Sequence, residues 1–407
     1  MTNDKKNFFW NTIGSTVNSF TSLIFLIIVT RINGINIAGV FTFAFSVACL
    51  FQVISNYSGR TFQVTNNDEK IFDSDFVYNR ITSCVLMFIV VLFYLLIEGY
   101  DLFKTIILLL FVIYRLLESF SDVIYGVIQK NNELYKVGIS LFLKGLFGTI
   151  IFFILDYFFK NIIVSIIGLI FITLIIMYYY DYKNFKVFYN HNMYDKGKNI
   201  NLFKLGVFVF GFTFLTQYII NAPKFAIDDY STNDIQTIYG IISMVATFMS
   251  LCSLFVIQPL LVKFADLIKK NKYINLLALS IKTIFYIIII GIFTLIITYF
   301  YGIPILEFIY GFDLKEYLIP LLIIIVGATI YSVAYAISNV LTAMRKTFIQ
   351  MVFYIICSII IMFLSKYLVL NYSILGASLS YAITVSVLCC MYVVYYSFYI
   401  RRCIKNG

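Results

Sequence analysis

Long apolar runs separated by short polar stretches dominate the chain. Runs near the 20 residues that an α-helix needs to cross the hydrocarbon core occur at about 8–30, 35–57, 81–99, 105–127, 137–158 and 162–180. A polar stretch at 181–203 follows, and six more runs come at about 204–222, 235–260, 274–300, 318–341, 347–365 and 374–399. The pattern predicts an all-α integral membrane protein of about 12 transmembrane helices. It places an N-terminal lobe at 1–180, a cytoplasmic linker at 181–203 and a C-terminal lobe at 204–407. The first run lacks a small-residue cleavage site and leads straight into a second crossing, so no cleavable signal peptide is expected.

The distribution of Lys and Arg tests this count. With the N-terminus placed in the cytoplasm, alternate segments hold 21 basic residues on the inner side and 6 on the outer side, and only Arg115, Lys144 and Lys282 lie inside crossings. A missed crossing would scramble the alternation, and none does. The positive-inside rule therefore puts both termini in the cytoplasm.

Composition agrees. The 407 residues are 61% hydrophobic and 12% charged, with a mean hydropathy of +0.93. A soluble domain carries about twice that charge density. The net charge of +10 is spread over short loops, which speaks for topology and against a nucleic-acid surface. Seven cysteines without ligand spacing and one histidine, His191, give no metal site, and no cofactor is expected.

The residues that are costly in a membrane come next. Arg115, Glu118 and Asp122 share the fourth crossing, with Lys144 in the fifth and Lys282 in the ninth. Facing lipid, five such residues would cost on the order of 15 kcal/mol, so they must pair or line a wet cavity. At 100° per residue, Arg115, Glu118, Ser119, Asp122 and Gly126 fall within one arc. A second stripe, Asn11, Ser15, Asn18 and Ser22, lies on the first crossing, and a third, Thr213, Gln217 and Asn221, on the seventh. These stripes predict that the first helix of each half and the charged fourth helix face a common interior. No acid stands three or four positions from Lys144 or Lys282 within its own crossing, so both are expected as unpaired cations suited to an anion such as pyrophosphate. Buried ion pairs that only lock helices together are the plainer alternative.

A weak internal repeat marks the fourth crossing of each half. Ile113-Tyr114 precedes Ser121-Asp122-Val123 as Ile330-Tyr331 precedes Ser338-Asn339-Val340, the sign of parallel repeats about an axis along the membrane normal.

Several runs resemble the polysaccharide-transport flippases (O-antigen and capsule repeat-unit flippases) of the multidrug/oligosaccharidyl-lipid/polysaccharide flippase superfamily. They are Trp10 to Ser15 with Thr30-Arg31-Ile32-Asn33-Gly34, Tyr57-Ser58-Gly59-Arg60-Thr61-Phe62-Gln63-Val64, and Tyr114-Arg115-Leu116-Leu117-Glu118-Ser119 continuing to Lys130. Further on come Tyr218 to Asp228 and Ile303-Pro304-Ile305-Leu306. Asn66 and Phe225 depart from the pattern, where an acid and a tyrosine are expected.

The resemblance implies two six-helix lobes around a central cavity. It further implies translocation, by alternating access, of an undecaprenyl-pyrophosphate-linked oligosaccharide from the cytoplasmic to the outer leaflet of a bacterial cytoplasmic (inner) membrane, for surface polysaccharide biosynthesis. It implies no enzymatic activity, and a polysaccharide polymerase and a chain-length regulator as partners besides membrane lipids. The implied cationic cavity draws on Arg115, Lys144, Lys282, Arg31, Arg60 and Lys224. Its polar and coupling positions are Glu118, Asp122, Asn18, Gln217, Asn221 and Asp228. No phosphate-binding G-x-x-x-x-G-K-[ST] loop is present, in keeping with transport that does not hydrolyse ATP. The rivals are an ion-coupled drug antiporter of the same fold and a membrane polysaccharide polymerase. The basic residues argue against the first, and the short outer loops against the second.

Overall fold

A computed structural model describes residues 3–57, 59–65, 71–189, 195–257 and 260–406; Ser58, Asn66, Lys70 and His191 fall outside the described residues. Every expected crossing is a helix. In unit 1 these are α1 (Asn3–Asn33), α2 (Ile35–Ser55), α4 (Asp73–Glu98), α5 (Leu102–Lys130), α6 (Leu134–Phe159) and α7 (Ile162–Ile176). A short α3 (Gly59–Thr65) precedes α4, and a π-helical turn, Met177–Tyr182, extends α7 into a single turn, α8 (Lys183–Phe185). Then come α9 (Lys196–Tyr230), α10 (Asn233–Ile257), short α11 (Leu261–Lys269), α12 (Tyr273–Ile297), short α13 (Ile303–Tyr310), α14 (Leu318–Ala343) and α15 (Thr347–Asn406). Among the described residues, ten spans are long and apolar enough to cross a membrane. They omit α5, which is too charged, and they join two crossings in α15, which breaks at Ser373 (φ 49°, ψ −125°). With both included there are twelve.

The chain divides into two compact units, residues 1–214 and 215–407, with the boundary inside α9. Both ends of the stretch 181–203, expected as a polar linker, are helical: Asp181 and Phe185 are buried in the continuation of α7, and Asn199 is buried in α9.

Local chemistry sets the helix ends. The Asp101 side chain accepts from the Lys104 N–H and caps α5, satisfying one of the donors that a helix start leaves without a partner. Asn161 caps α7 the same way. Gly34, at φ 87°, turns α1 into α2 in a conformation that favours glycine.

In unit 1, α1 packs closely along α6. A methyl placed on Gly14 would sit 2.0 Å from the Gly138 carbonyl oxygen, and one on Gly138 would sit 2.3 Å from the Trp10 backbone. In a membrane, such small-residue contacts do the work that apolar burial does in water. At the end that carries Asn3, the side chains of Asn3 and Asn7 donate to the Asn132 carbonyl between α5 and α6. Asn79 of α4 bonds Asn199 of α9 at 2.8 Å.

In unit 2, α12 buries Leu276, Ser280, Thr283, Ile287 and Gly291 at helical spacing. A methyl on Gly291 would meet the Thr329 side chain of α14 at 2.3 Å.

Candidate functional site

The chemistry of unit 1 gathers around α5. Its first half buries Ile107, Leu108, Phe111 and Val112 completely, and polar contacts begin at Tyr114.

Three ion pairs follow. Arg115 pairs with Glu118 one turn on. Glu118 also accepts from the Tyr114 hydroxyl at 3.0 Å and the Gln52 amide at 3.4 Å. The Arg115 guanidinium donates to the Cys49 sulfur at 2.9 Å and lies 4.4 Å from the Phe45 ring centroid. Asp122 pairs with Arg80 of α4 at 3.1 Å. Arg80 is 4% exposed and also donates to the Ser55 carbonyl and the Asn56 side chain, at 2.9 and 2.7 Å. Ser55 ends α2, so its carbonyl has no partner within that helix; Arg80 and the Ser83 hydroxyl supply one.

The third pair is the most enclosed. The Lys144 ammonium donates to Asp181 at 2.5 Å, to the Ser121 hydroxyl at 2.7 Å and to the Tyr125 hydroxyl at 2.9 Å. Ser140 supports Tyr125 at 2.7 Å. The side chains of Lys144 and Asp181 are 7% and 1% exposed.

Each pair is formally neutral. Lys144 was expected as an unpaired cation, and that expectation is corrected. Its acid comes from the next helix, at a position the hydropathy pattern assigns to the polar stretch. The polar arc of α5 is corrected too, because it packs against protein. The hydroxyls of Ser119 and Ser55 lie 2.6 Å apart, fully enclosed, and Gly126 faces the Gln63 side chain. Burying a charge without a partner costs several kcal/mol, and pairing across neighbouring helices removes most of that cost.

Unit 2 repeats the layout without charge. Ser338, the counterpart of Ser121 in the internal repeat, donates to Gln350 of α15 at 2.6 Å. Gln350 in turn bonds the hydroxyls of Thr342 and Tyr392. Gln350 is buried, 1% exposed. The weak repeat is thus ionic in one unit and neutral in the other.

Comparison with solved structures places this architecture. The chain superposes on an inward-facing multidrug resistance MATE family transporter of the MOP superfamily with a TM-score of 0.75, over 98% of this chain and 99% of that one, at 10% identity. It superposes on the lipid II flippase MurJ in an inward closed conformation with a TM-score of 0.72, over 94% and 86%, at 16% identity. Its fold is that of the MOP-superfamily transporters. A full-length relative is the capsular polysaccharide biosynthesis protein CapF of Staphylococcus aureus, 24% identical over 402 residues, covering 97% of this chain and 99% of that one. No family model matches the chain. The resemblance read from the runs between residues 10 and 311 is borne out by these likenesses.

The remaining expected site residues are distributed over α1, α3, α9 and α12. Arg31 is exposed in the last turn of α1, and Arg60 is half-buried in α3. Asn18 is half-buried on α1, and its carbonyl accepts from Thr21. Gln217, Lys224 and Asp228 are half-buried on α9, and buried Asn221 donates to the Gln217 carbonyl at 2.9 Å. Lys282 is exposed on the apolar face of α12 beside Ile281 and Phe285, 5.8 Å from the Tyr286 ring centroid.

Sequence reasoning missed Arg80, which the loop tally absorbs, and Asp181. It also missed Asp156, fully buried and bonded by Asn33 at 2.6 Å and Ser165 at 3.0 Å. No spacing rule within one helix reveals a partner on another.

Proposed function

We propose that this protein is a flippase that moves a polyprenyl-pyrophosphate-linked oligosaccharide from the cytoplasmic to the outer leaflet for surface polysaccharide biosynthesis. The observation that carries the reading is the end-to-end likeness to a capsular polysaccharide biosynthesis protein in a chain with a twelve-helix transporter fold. A membrane-buried ammonium flanked by two hydroxyls adds chemical support, since an ammonium in a dry site binds phosphate oxygens strongly. In this reading Lys144, Arg115 and Lys282 are the basic residues assigned to the pyrophosphate, the first two exchanging their paired carboxylates for its oxygens, and no catalytic step is assigned. The excess of basic residues in alternate segments supports a reading with both termini in the cytoplasm, and the proposed membrane is the bacterial cytoplasmic one.

The test is genetic and chemical together. Deletion is expected to accumulate a lipid-linked oligosaccharide in the inner leaflet. Lys144→Ala and Lys282→Ala are each expected to abolish surface polymer while the protein level holds. Normal polymer in both variants would sink the assignment of those lysines. A second reading, an ion-coupled small-molecule antiporter, is favoured by the likeness to a multidrug resistance transporter. It predicts that deletion accumulates no lipid-linked sugar and raises drug sensitivity instead.

A further inference from the structure

The sixth crossing holds a defect in register that the function above leaves unused. From its start, α7 buries Ile162, Ser165, Ile166, Leu169, Thr173 and Ile176. Steps of three and four are those of an α-helix that keeps one face inward. The next buried position is Asp181, five residues after Ile176, inside the π-helical turn Met177–Tyr182. An unbroken α-helix would bring Tyr180 inward instead. Here Tyr180 is half-buried, while Tyr178, Tyr179 and Tyr182 are exposed. The π turn therefore decides which residue meets Lys144. Two donors hold the carbonyl of Tyr180, the backbone N–H of Lys183 and the side-chain amide of Asn184 at 2.8 Å. Single π turns inside α-helices occur often at functional sites.

The pair itself is poised to open. Only one oxygen of Asp181 is used. It takes the Lys144 ammonium and lies 3.5 Å from the Tyr125 hydroxyl, whereas the other is buried with no hydrogen-bond donor among the described residues. A half-satisfied buried carboxylate gains less from its site than a fully bonded one. The donors that hold it, the Lys144 ammonium and the Tyr125 hydroxyl at 3.5 Å, are of the kind that a phosphate oxygen would use.

We infer that the π turn at 177–182 is a register switch that controls an anion site. In the π form the Asp181 carboxylate occupies the site. In the α form Tyr180 takes the inward place and Asp181 rotates away by about 100°. Lys144, Ser121 and Tyr125 are then open to a phosphate group. This rests on the proposed function for the identity of the cargo, but not for the existence of the site.

The switch predicts a graded series in the purified full-length chain, probed with inorganic pyrophosphate and read by the rise in unfolding temperature. Asp181→Asn removes the competing charge, so half-saturation is expected at a pyrophosphate concentration lower than wild type by about tenfold or more. Asp181→Asn with Lys144→Ala should lose the response. Deleting Tyr180 puts Asp181 four residues after Ile176, inward in a plain α-helix, and should bind more weakly than wild type. Wild type and Asp181→Asn responding alike, at equal strength or not at all, overturns the inference. So does a Tyr180 deletion that folds and binds better than wild type; if that variant does not fold, the Asp181→Asn comparison decides alone. Should the graded series hold while Lys144→Ala cells make normal polymer, the cargo reading fails and the site stands.

Discussion

Arg80 does two jobs with one guanidinium: it neutralises Asp122 and closes the end of α2 through Ser55 and Asn56. A planar fork with five donors suits several acceptors at once, and an ammonium does not. Replacing Arg80 by Met strands a carboxylate that is 28% exposed and leaves the Ser55 carbonyl to the Ser83 hydroxyl alone, and should cost about 3 kcal/mol. Arg80→Lys should recover only part of that. Pairing Arg80→Met with Asp122→Leu should recover more, because removing both members of a buried pair is far cheaper than removing one. Thermal unfolding in detergent measures all three. An unchanged midpoint in Arg80→Met would mean that Asp122 finds another partner or binds a proton. The same residue shows why part of the site escapes the sequence. Seven residues into α4, Arg80 looks like one more inner-side basic residue, and only the packing of α4 on α2 and α5 turns it inward.

At the scale of elements, the α1–α6 contact is the most exacting. Gly14 and Gly138 leave no room for a methyl, and crowding of this kind costs typically about 1–3 kcal/mol. Gly14→Ala should therefore lower the unfolding midpoint of the purified protein. Gly99→Ala makes a useful contrast, since a methyl there meets nothing within 4 Å and the cost comes only from its φ of 63°. A midpoint lowered more by Gly99→Ala than by Gly14→Ala would show that α1 can move off α6.

These elements also mark how far the sequence could be read. All twelve crossings are legible, because 20 apolar residues between basic turns leave little else to be. Within α5 the Arg115–Glu118 pair was legible from its spacing of three, but the partners of Asp122 and of Lys144 in α6 were not, since pairing between helices leaves no trace in one helix's spacing. Asp181 was hidden twice. A hydropathy count ends the crossing one residue before it, and the π turn that brings it inward has no pattern of its own.

At the scale of the whole molecule, the two units share a layout and differ in charge. Helix α5 offers Ser121 to a lysine, and α14 offers Ser338 to a glutamine. Under the proposed function, a transporter that must first hold and then release an anion gains from confining strong binding to one unit, since matched strong sites would trap it. Direction then depends on which face the ionic unit presents, and the two ends of α6 test that. Its 26 residues span about 39 Å, so the turn at Asn132 and the turn at Lys160 lie on opposite sides of the membrane. In a cysteine-free background, a cysteine at Lys160 should react with a membrane-impermeant maleimide in intact cells, and a cysteine at Asn132 only after lysis. The reverse result would overturn the assigned orientation and the direction of transport with it. With the expected result, the π turn at 177–182 lies on the Asn132 side, because α7 starts beside Lys160 and runs back across. Lys144 is ten residues into α6, and its side chain leans toward the start of its own helix. The anion site is thereby approached from the cytoplasmic face, the leaflet in which the proposed cargo must first be met.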